Sequence, residues 1–180
     1  MSTFRRVVTG HAANGQSIIA SDSPVSSVAV PGLGGIELGT LWSSDQPFVY
    51  PDNGSAPPPS TWFPPLGGVR FIEFVLPPDG APQDTAVDTA QAADAAEQLV
   101  PGLLSHFDDE DPGMHRSATT DMLYVLSGRC VLELDDGSLT ELKAGDVVVQ
   151  SGTMHRWKNP HDEACRVIGA IVGAHINNHK

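Results

Sequence analysis

The sequence predicts an all-β sandwich or barrel, on three observations. Between residues 114 and 173, short apolar runs (DMLYVLSG, RCVLELDDG, LTELKAGDVVVQSG, MHRWKNP, CRVIGAIVGA) recur about every ten residues, as strands of a sandwich do. Ser-Gly, Asp-Gly, Ala-Gly and Asn-Pro pairs separate them, and each is a turn signal. Glycine (18) and proline (15) are frequent while charged residues make up only 18%, a balance that suits many short elements joined by turns. A chain of 180 residues is one ordinary domain, long enough to bury a core without disulfide staples.

The elements follow in order. Residues 5–21 read as a hairpin, because Val7-Val8-Thr9 and Ile18-Ile19 flank Asn14-Gly15. Residues 22–68 are rich in Pro and Gly, with a strand-like piece GIELGTLW and prolines at 57–59. Trp42, Phe48, Tyr50, Trp62 and Phe63 fall in this stretch, and that much aromatic area calls for burial, either by wrapping the core or by covering a partner subunit. Residues 69–76 (VRFIEFVL) alternate as a strand and stop at Pro77-Pro78-Asp79-Gly80. Residues 86–99 are Ala-rich, with Asp84 or Asp88 to cap them and Pro101-Gly102 to end them, which predicts one short surface helix. The organisation expected is a hairpin and arm over 1–68, a barrel over 69–173 with the helix inserted, and a polar tail over 174–180.

The net charge of -12 argues against a nucleic-acid groove and against docking on anionic lipid. No apolar stretch reaches membrane-span length, and MSTFRRVVTG has no apolar h-region, so no membrane partner, no signal peptide and a cytoplasmic protein are expected. Cys130 and Cys165 lie in apolar runs far from any C-x-x-C spacing and read as buried thiols, with a disulfide the alternative.

Of seven histidines, His11, His106, His161, His175 and His179 read as solvated or structural. His115 and His155 differ, since each lies at the lip of a strand beside Pro112-Gly113 or Ser151-Gly152. Asp121 opens the run MLYVLSG, where an acid has no packing value. Two imidazoles and a carboxylate can hold a divalent metal and leave positions open. Fully extended, residues 115 to 121 would span roughly 20 Å. A turn is therefore required between 116 and 120, and Ser117-Ala118-Thr119-Thr120 can supply it. By alternation Trp157 and Asn159 face inward with His155, and Arg116 faces outward.

PGMHRSATTDMLYVLSG resembles the first cupin motif, with His115 as its first histidine and Gly128 closing it. Ser117 stands at the second histidine and Asp121 at the glutamate. GDVVVQSGTMHRWKN resembles the second motif through Gly145, Gly152, His155 and Asn159, with Gln150 where a proline is usual. The opening RRVVTGHAANGQSIIASDSP is similar to the start of a group of bacterial cupin-domain proteins. The resemblance implies a single-domain cupin (RmlC-like jelly roll). It implies one divalent ion on His115, Asp121 and His155, with Fe or Zn favoured and Mn, Ni or Co also compatible. Ser117, Tyr124, Trp157 and Asn159 are the expected pocket residues. The implied function is a metal-dependent enzyme acting on an oxygen-rich or aromatic small molecule, of dioxygenase, decarboxylase, dehydratase, isomerase or lyase type. The alternative is a small-molecule-binding cupin in which His115 bonds Asp121 without metal. A homodimer assembled through the hairpin and arm is expected.

Overall fold

A computed structural model describes residues 3–81 and 88–176. The described residues run through eleven strands, one α-helix and a short 3-10 helix (Leu104–His106): β1 (Thr3–His11), β2 (Ser17–Ser26), β3 (Val28–Ala29), β4 (Glu37–Ser44), β5 (Val69–Leu76), α1 (Thr89–Leu99), β6 (Thr119–Ser127), β7 (Arg129–Leu134), β8 (Leu139–Lys143), β9 (Val147–Gln150), β10 (His155–Lys158) and β11 (Cys165–Gly173). β1 and β2 form the hairpin, closed at Asn14-Gly15 with Gly15 at φ 81°. The remaining strands make a six-stranded sheet, β3-β4-β5-β11-β6-β9, and a three-stranded sheet, β10-β7-β8, and every pairing is antiparallel. This is the jelly-roll sandwich expected, with one short helix.

The core lies between the two sheets because strand alternation sends one face of each inward. β11 alternates strictly, burying Cys165, Val167, Gly169, Ile171 and Gly173. Leu123 and Val125 of β6 and Ile72, Phe74 and Leu76 of β5 join them from the same sheet, and Cys130 and Leu142 come from the facing one. Cys130 and Cys165 are free, fully buried thiols.

The stretch before residue 69 is not an appendage. β4 pairs with β5 from Glu37–Val75 to Ser44–Val69 and is a full member of the large sheet. Trp62 is buried and its amide donates to the Pro101 carbonyl at 2.8 Å. Arg70, fully buried, anchors this stretch through the Thr61 carbonyl (2.9 Å), the Ser44 carbonyl (3.0 Å) and the Asp45 carboxylate (2.5 Å). Phe48 and Tyr50 remain exposed. The hairpin leans on the outer face of the large sheet, with Arg6 over Trp42 at 5.7 Å and Phe4 under Arg166 at 5.3 Å.

Helix α1 begins at Thr89 because the Asp88 carboxylate accepts from the Ala90 amide at 2.8 Å. Asp84 and the first residues of the expected helix lie outside the described residues. The face carrying Ala92 and Ala96 is buried, so the helix covers one end of the core.

Gly128 joins β6 to β7 at φ 76°, and a Cβ there would lie 2.4 Å from the Ala164 carbonyl oxygen. Gly128→Ala should therefore destabilise the fold by at least about 1–2 kcal/mol, seen as a lower urea midpoint. An unchanged midpoint would show that this turn relaxes freely.

Candidate functional site

Between the sheets lies a cavity of about 140 Å³. Its wall is hydrocarbon and aromatic, with Ile72, Phe74, Leu123 and Ile171 from the large sheet, Trp157 from β10, and Phe107 from the segment before β6. Three polar side chains break this wall: His115, Asp121 and His155. The residues singled out by the sequence as a metal set thus face one cavity.

The two histidines are neighbours because their backbones pair. The His115 amide donates to the His155 carbonyl at 2.8 Å, and the His155 amide returns a bond at 3.0 Å. Such an exchange is a hydrogen-bonded antiparallel pair, which puts both side chains on one face. The rings lie 4.3 Å apart, centre to centre. On its other side His115 pairs with Phe107, whose ring is 5.0 Å away. The small sheet therefore continues past β10 through His115 to Phe107. Outside it, Arg156 bonds Glu133 of β7 (2.5 Å) and Asp111 (2.5 Å), tying the loop before His115 to the sheet. Arg156 and Lys158 beside the Glu133 carboxyl hold it at about 2.

Each ring has its orientation set from behind. His115 Nδ1 donates to the Gly113 carbonyl (3.0 Å), and His155 Nδ1 donates to the Thr153 carbonyl (2.9 Å). A carbonyl only accepts, so Nδ1 carries the hydrogen and Nε2 is left with its lone pair. Burial lowers both pKa values. His115, with His155 also beside it, falls to about 4. Both imidazoles are neutral acceptors near pH 7.

Asp121 arrives from the opposite sheet, on β6 between Ile171 of β11 and Gln150 of β9. It is 6% exposed, and its Oδ1 is buried without a hydrogen-bond partner among the described residues. Burial pushes its pKa up to about 6, against a hydrogen bond from Thr119 that works the other way. Ser117 lies one step behind, its Oγ 2.7 Å from Thr119 Oγ1. The turn required between residues 116 and 120 is present, with a bend at Ala118 just before β6.

Three expected pocket residues lie elsewhere. Ser117 is buried but does not line the cavity and acts on Asp121 only through Thr119. Tyr124 is 43% exposed on the outer face of the large sheet, opposite Val147 and Ile168. Asn159 is 1% exposed and is a fastener: its Nδ2 donates to the Leu76 carbonyl (3.0 Å) and the Glu163 carbonyl (2.8 Å). Asn159 is interior, as alternation from His155 expects, but β10 ends at Lys158 and its side chain bonds these carbonyls instead of facing the cavity. Trp157 does line the cavity, 5.2 Å from Phe74, and Arg116 is exposed as expected. Thr119, Phe107 and Trp62 were missed as site residues; only their clustering in the fold brings them there.

The donor chemistry fits a divalent ion. Among the described residues the two Nε2 atoms have no hydrogen-bond partner and a buried carboxylate oxygen lacks one too, while both rings are tied by Nδ1 to carbonyls as metal-bound imidazoles are. The spacing is looser. Among the described residues no three His, Cys, Asp or Glu side chains are gathered closely enough to enclose an ion. The histidine pair is preformed, and Asp121 stands across the cavity from it.

Residues 108–171 match the family model described as Cupin domain. Oryzines biosynthesis cluster protein J of Aspergillus oryzae is 33% identical over 104 residues, covering 53% of this chain and 58% of that protein. Phomopsin biosynthesis cluster protein C' of Diaporthe leptostromiformis is 50% identical over 46 residues, covering 26% of this chain and 24% of that protein. The chain thus spans just over half of the first relative and about a quarter of the second. Among solved structures, a cupin 2 conserved barrel domain protein from Salinispora arenicola aligns with 78% of each chain at 18% identity and a TM-score of 0.42.

The buried acid and the buried bases pull stability in opposite directions with pH. His115 stays neutral in the fold down to about 4 but protonates near 6.5 when unfolded, so its contribution is lost as pH falls from about 6.5 to 4. Asp121, at about 6 folded against 3.8 unfolded, costs stability as pH rises from about 4 to 6. In chelator-treated protein, Asp121→Asn should gain stability over the parent between pH 4 and 7, read as diverging urea midpoints. Parallel midpoints would mean that Asp121 ionises as if in water.

Proposed function

We propose, from the premise that this is a cupin-superfamily protein with its cupin domain over residues 108–171, that it is an enzyme acting on a small organic molecule held in the cavity. The reaction centre is His115, Asp121 and His155, and the cofactor is one divalent ion, with Fe or Zn the best match to two imidazoles and a carboxylate. The observation that carries this reading is the buried, unpartnered Oδ1 of Asp121 in the same cavity as two lone-pair Nε2 atoms. Leaving a carboxylate oxygen buried and unbonded is costly, so the site is complete only when a cation or a donor arrives.

His115 and His155 would hold the ion through Nε2, with Asp121 as the carboxylate ligand. Bound there, the ion supplies Lewis-acid polarisation of a substrate oxygen. The chain's own residues do the rest. The Gly113 and Thr153 carbonyls keep both rings aimed and in one tautomer, Thr119 holds the Asp121 carboxyl, and the apolar wall excludes water. Trp157 and Phe74 offer aromatic faces to a substrate. The biosynthesis-cluster names of the two relatives support a role in small-molecule chemistry, and oxidoreductase or lyase reactions are the classes that a two-histidine, one-carboxylate centre would serve. A non-catalytic ligand-binding cupin is the second reading, favoured by the looser spacing of Asp121.

Tag-free protein should contain iron or zinc near one equivalent per chain by elemental analysis. His115→Ala and His155→Ala should each lower that content at least about tenfold. No metal in the parent at any stage of purification would leave the binding reading in its place.

A second copy of the chain is the proposed partner. The hairpin covers only part of the large sheet's outer face. From beside the hairpin, where Phe71 and Ile168 lie, register lines up Phe71, Ala170, Met122 and Val149 in one row and Ile168, Tyr124 and Val147 in the next, ending at the edge strand β9. Met122, Tyr124, Val147 and Val149 are 43–68% exposed, a charge-free patch on a chain of net charge -12, where two copies can meet without like-charge repulsion. Light scattering should report a dimer for the parent and a monomer for Met122→Glu/Val149→Glu. A monomeric parent, or a dimer untouched by both charges, overturns this.

A further inference from the structure

His155 stands at the end of a crossover between the two sheets. β9 belongs to the large sheet and ends at Gln150, and β10 opens in the small sheet at His155. Gln150 is the register partner of Asp121, and His155 is the partner of His115. Residues 151–154 therefore carry the chain from one half of the site to the other. They lie outside the strands of either sheet, so no ladder fixes their shape. Yet that shape decides how His155 stands to Asp121.

Two contacts hold the crossover. Gly152 takes φ 61°, and a Cβ built on it would lie 3.3 Å from the Ser117 carbonyl oxygen and 3.4 Å from that of Thr119. The crossover is thus seated on the segment that leads into Asp121. Gln150, 4% exposed, supplies the second contact. Its Nε2 donates to the Thr153 hydroxyl and stands 3.5 Å from the Thr153 carbonyl oxygen. That carbonyl accepts from His155 Nδ1 at 2.9 Å. A buried amide needs an acceptor, and among the described residues Thr153 is the one that Gln150 Nε2 has. A proline, usual at this place in the second cupin motif, would stiffen the backbone but offer residue 153 no side-chain hydrogen.

We propose that Gln150 is a positioning residue for His155: by holding Thr153 it keeps the Thr153 carbonyl aimed at His155 Nδ1, and so keeps the lone pair on Nε2. This rests on the reading of His155 as part of the reaction centre and adds how its ring is set. The tautomer of a histidine follows from the bond its other nitrogen makes, so a carbonyl free to turn away releases Nδ1 and lets the hydrogen move to Nε2. His115 is oriented by the Gly113 carbonyl instead, on a different loop. It serves as the control within the same molecule.

The test is nitrogen-15 NMR of the imidazole rings in the full chain, freed of divalent ions by chelation, at about pH 8, where both rings are neutral. In the parent, both rings should carry hydrogen on Nδ1. In Gln150→Leu, which removes the donor at similar volume, the Nε2–H form of His155 should rise at least about fivefold, the factor one ordinary hydrogen bond is worth, while His115 stays as in the parent. Thr153→Val, at an exposed residue, removes the hydroxyl that Gln150 holds and should do the same, so the measurement stands even where Gln150→Leu does not fold. The double variant should shift His155 no further than either single one, since both cut one contact. A His155 tautomer unchanged in the variants, or a parent His155 already protonated on Nε2, overturns the proposal. Equal shifts in His115 and His155 overturn it too, because they report a general loosening of the sheet. The rings are read without metal, so purified protein that lacks iron and zinc would sink the metal-dependent reading and leave this outcome untouched.

Discussion

Two backbone hydrogen bonds between His115 and His155, at 2.8 and 3.0 Å, join a chain segment forty residues upstream to the first residue of β10. Both imidazoles of the cavity depend on that pairing. It extends the small sheet beyond its edge, brings two imidazoles within 4.3 Å, and lets each ring anchor on a carbonyl two residues behind it. Were the pair to part, His115 would lose its place on the cavity wall and the rings would no longer share a face. The Arg156 contacts to Glu133 and Asp111 reinforce the same junction from outside.

Across the cavity, Asp121 is placed by equally strict means. It is locked in register on both sides, to Ile171 and to Gln150, and alternation on β6 sends it inward with Leu123 and Val125. A carboxylate so placed faces a low-dielectric space, which raises its pKa to about 6, while the same space lowers that of His115 to about 4. The site thus holds its bases uncharged and its acid poised, the combination from which both ion binding and proton transfer draw.

The fold keeps other charges out of this space. Arg70 and Glu73, both fully buried on β5, are each committed elsewhere, the first to the 44–61 stretch and the second to Arg166. Buried charges of this kind are tolerated because their hydrogen bonds are complete. Among the described residues Asp121 Oδ1, Arg6 Nε and His161 Nε2 are buried without a partner, and of these only Asp121 lines the cavity between the sheets, where an incomplete buried group points to function rather than to packing.

Much of this was legible in the sequence. Period-two alternation and glycine turns mark β5 and the strands from β6 to β11, Asn14-Gly15 marks the hairpin, and Asp88 marks the helix start. The spacing of His115, Asp121 and His155 marks them as one set, and they do face one cavity. Tertiary structure alone decided which neighbours those residues have. It turned Tyr124 outward, made Asn159 a fastener between Leu76 and Glu163, set Ser117 behind Thr119, took β4 into the large sheet, and brought Trp62 and Phe107 to the cavity wall. The reason is physical: alternation along a strand is a local property of the pleat, so it can be read residue by residue. Which strand lies alongside, and where a strand ends, follow from burial and hydrogen bonding between segments far apart in the chain.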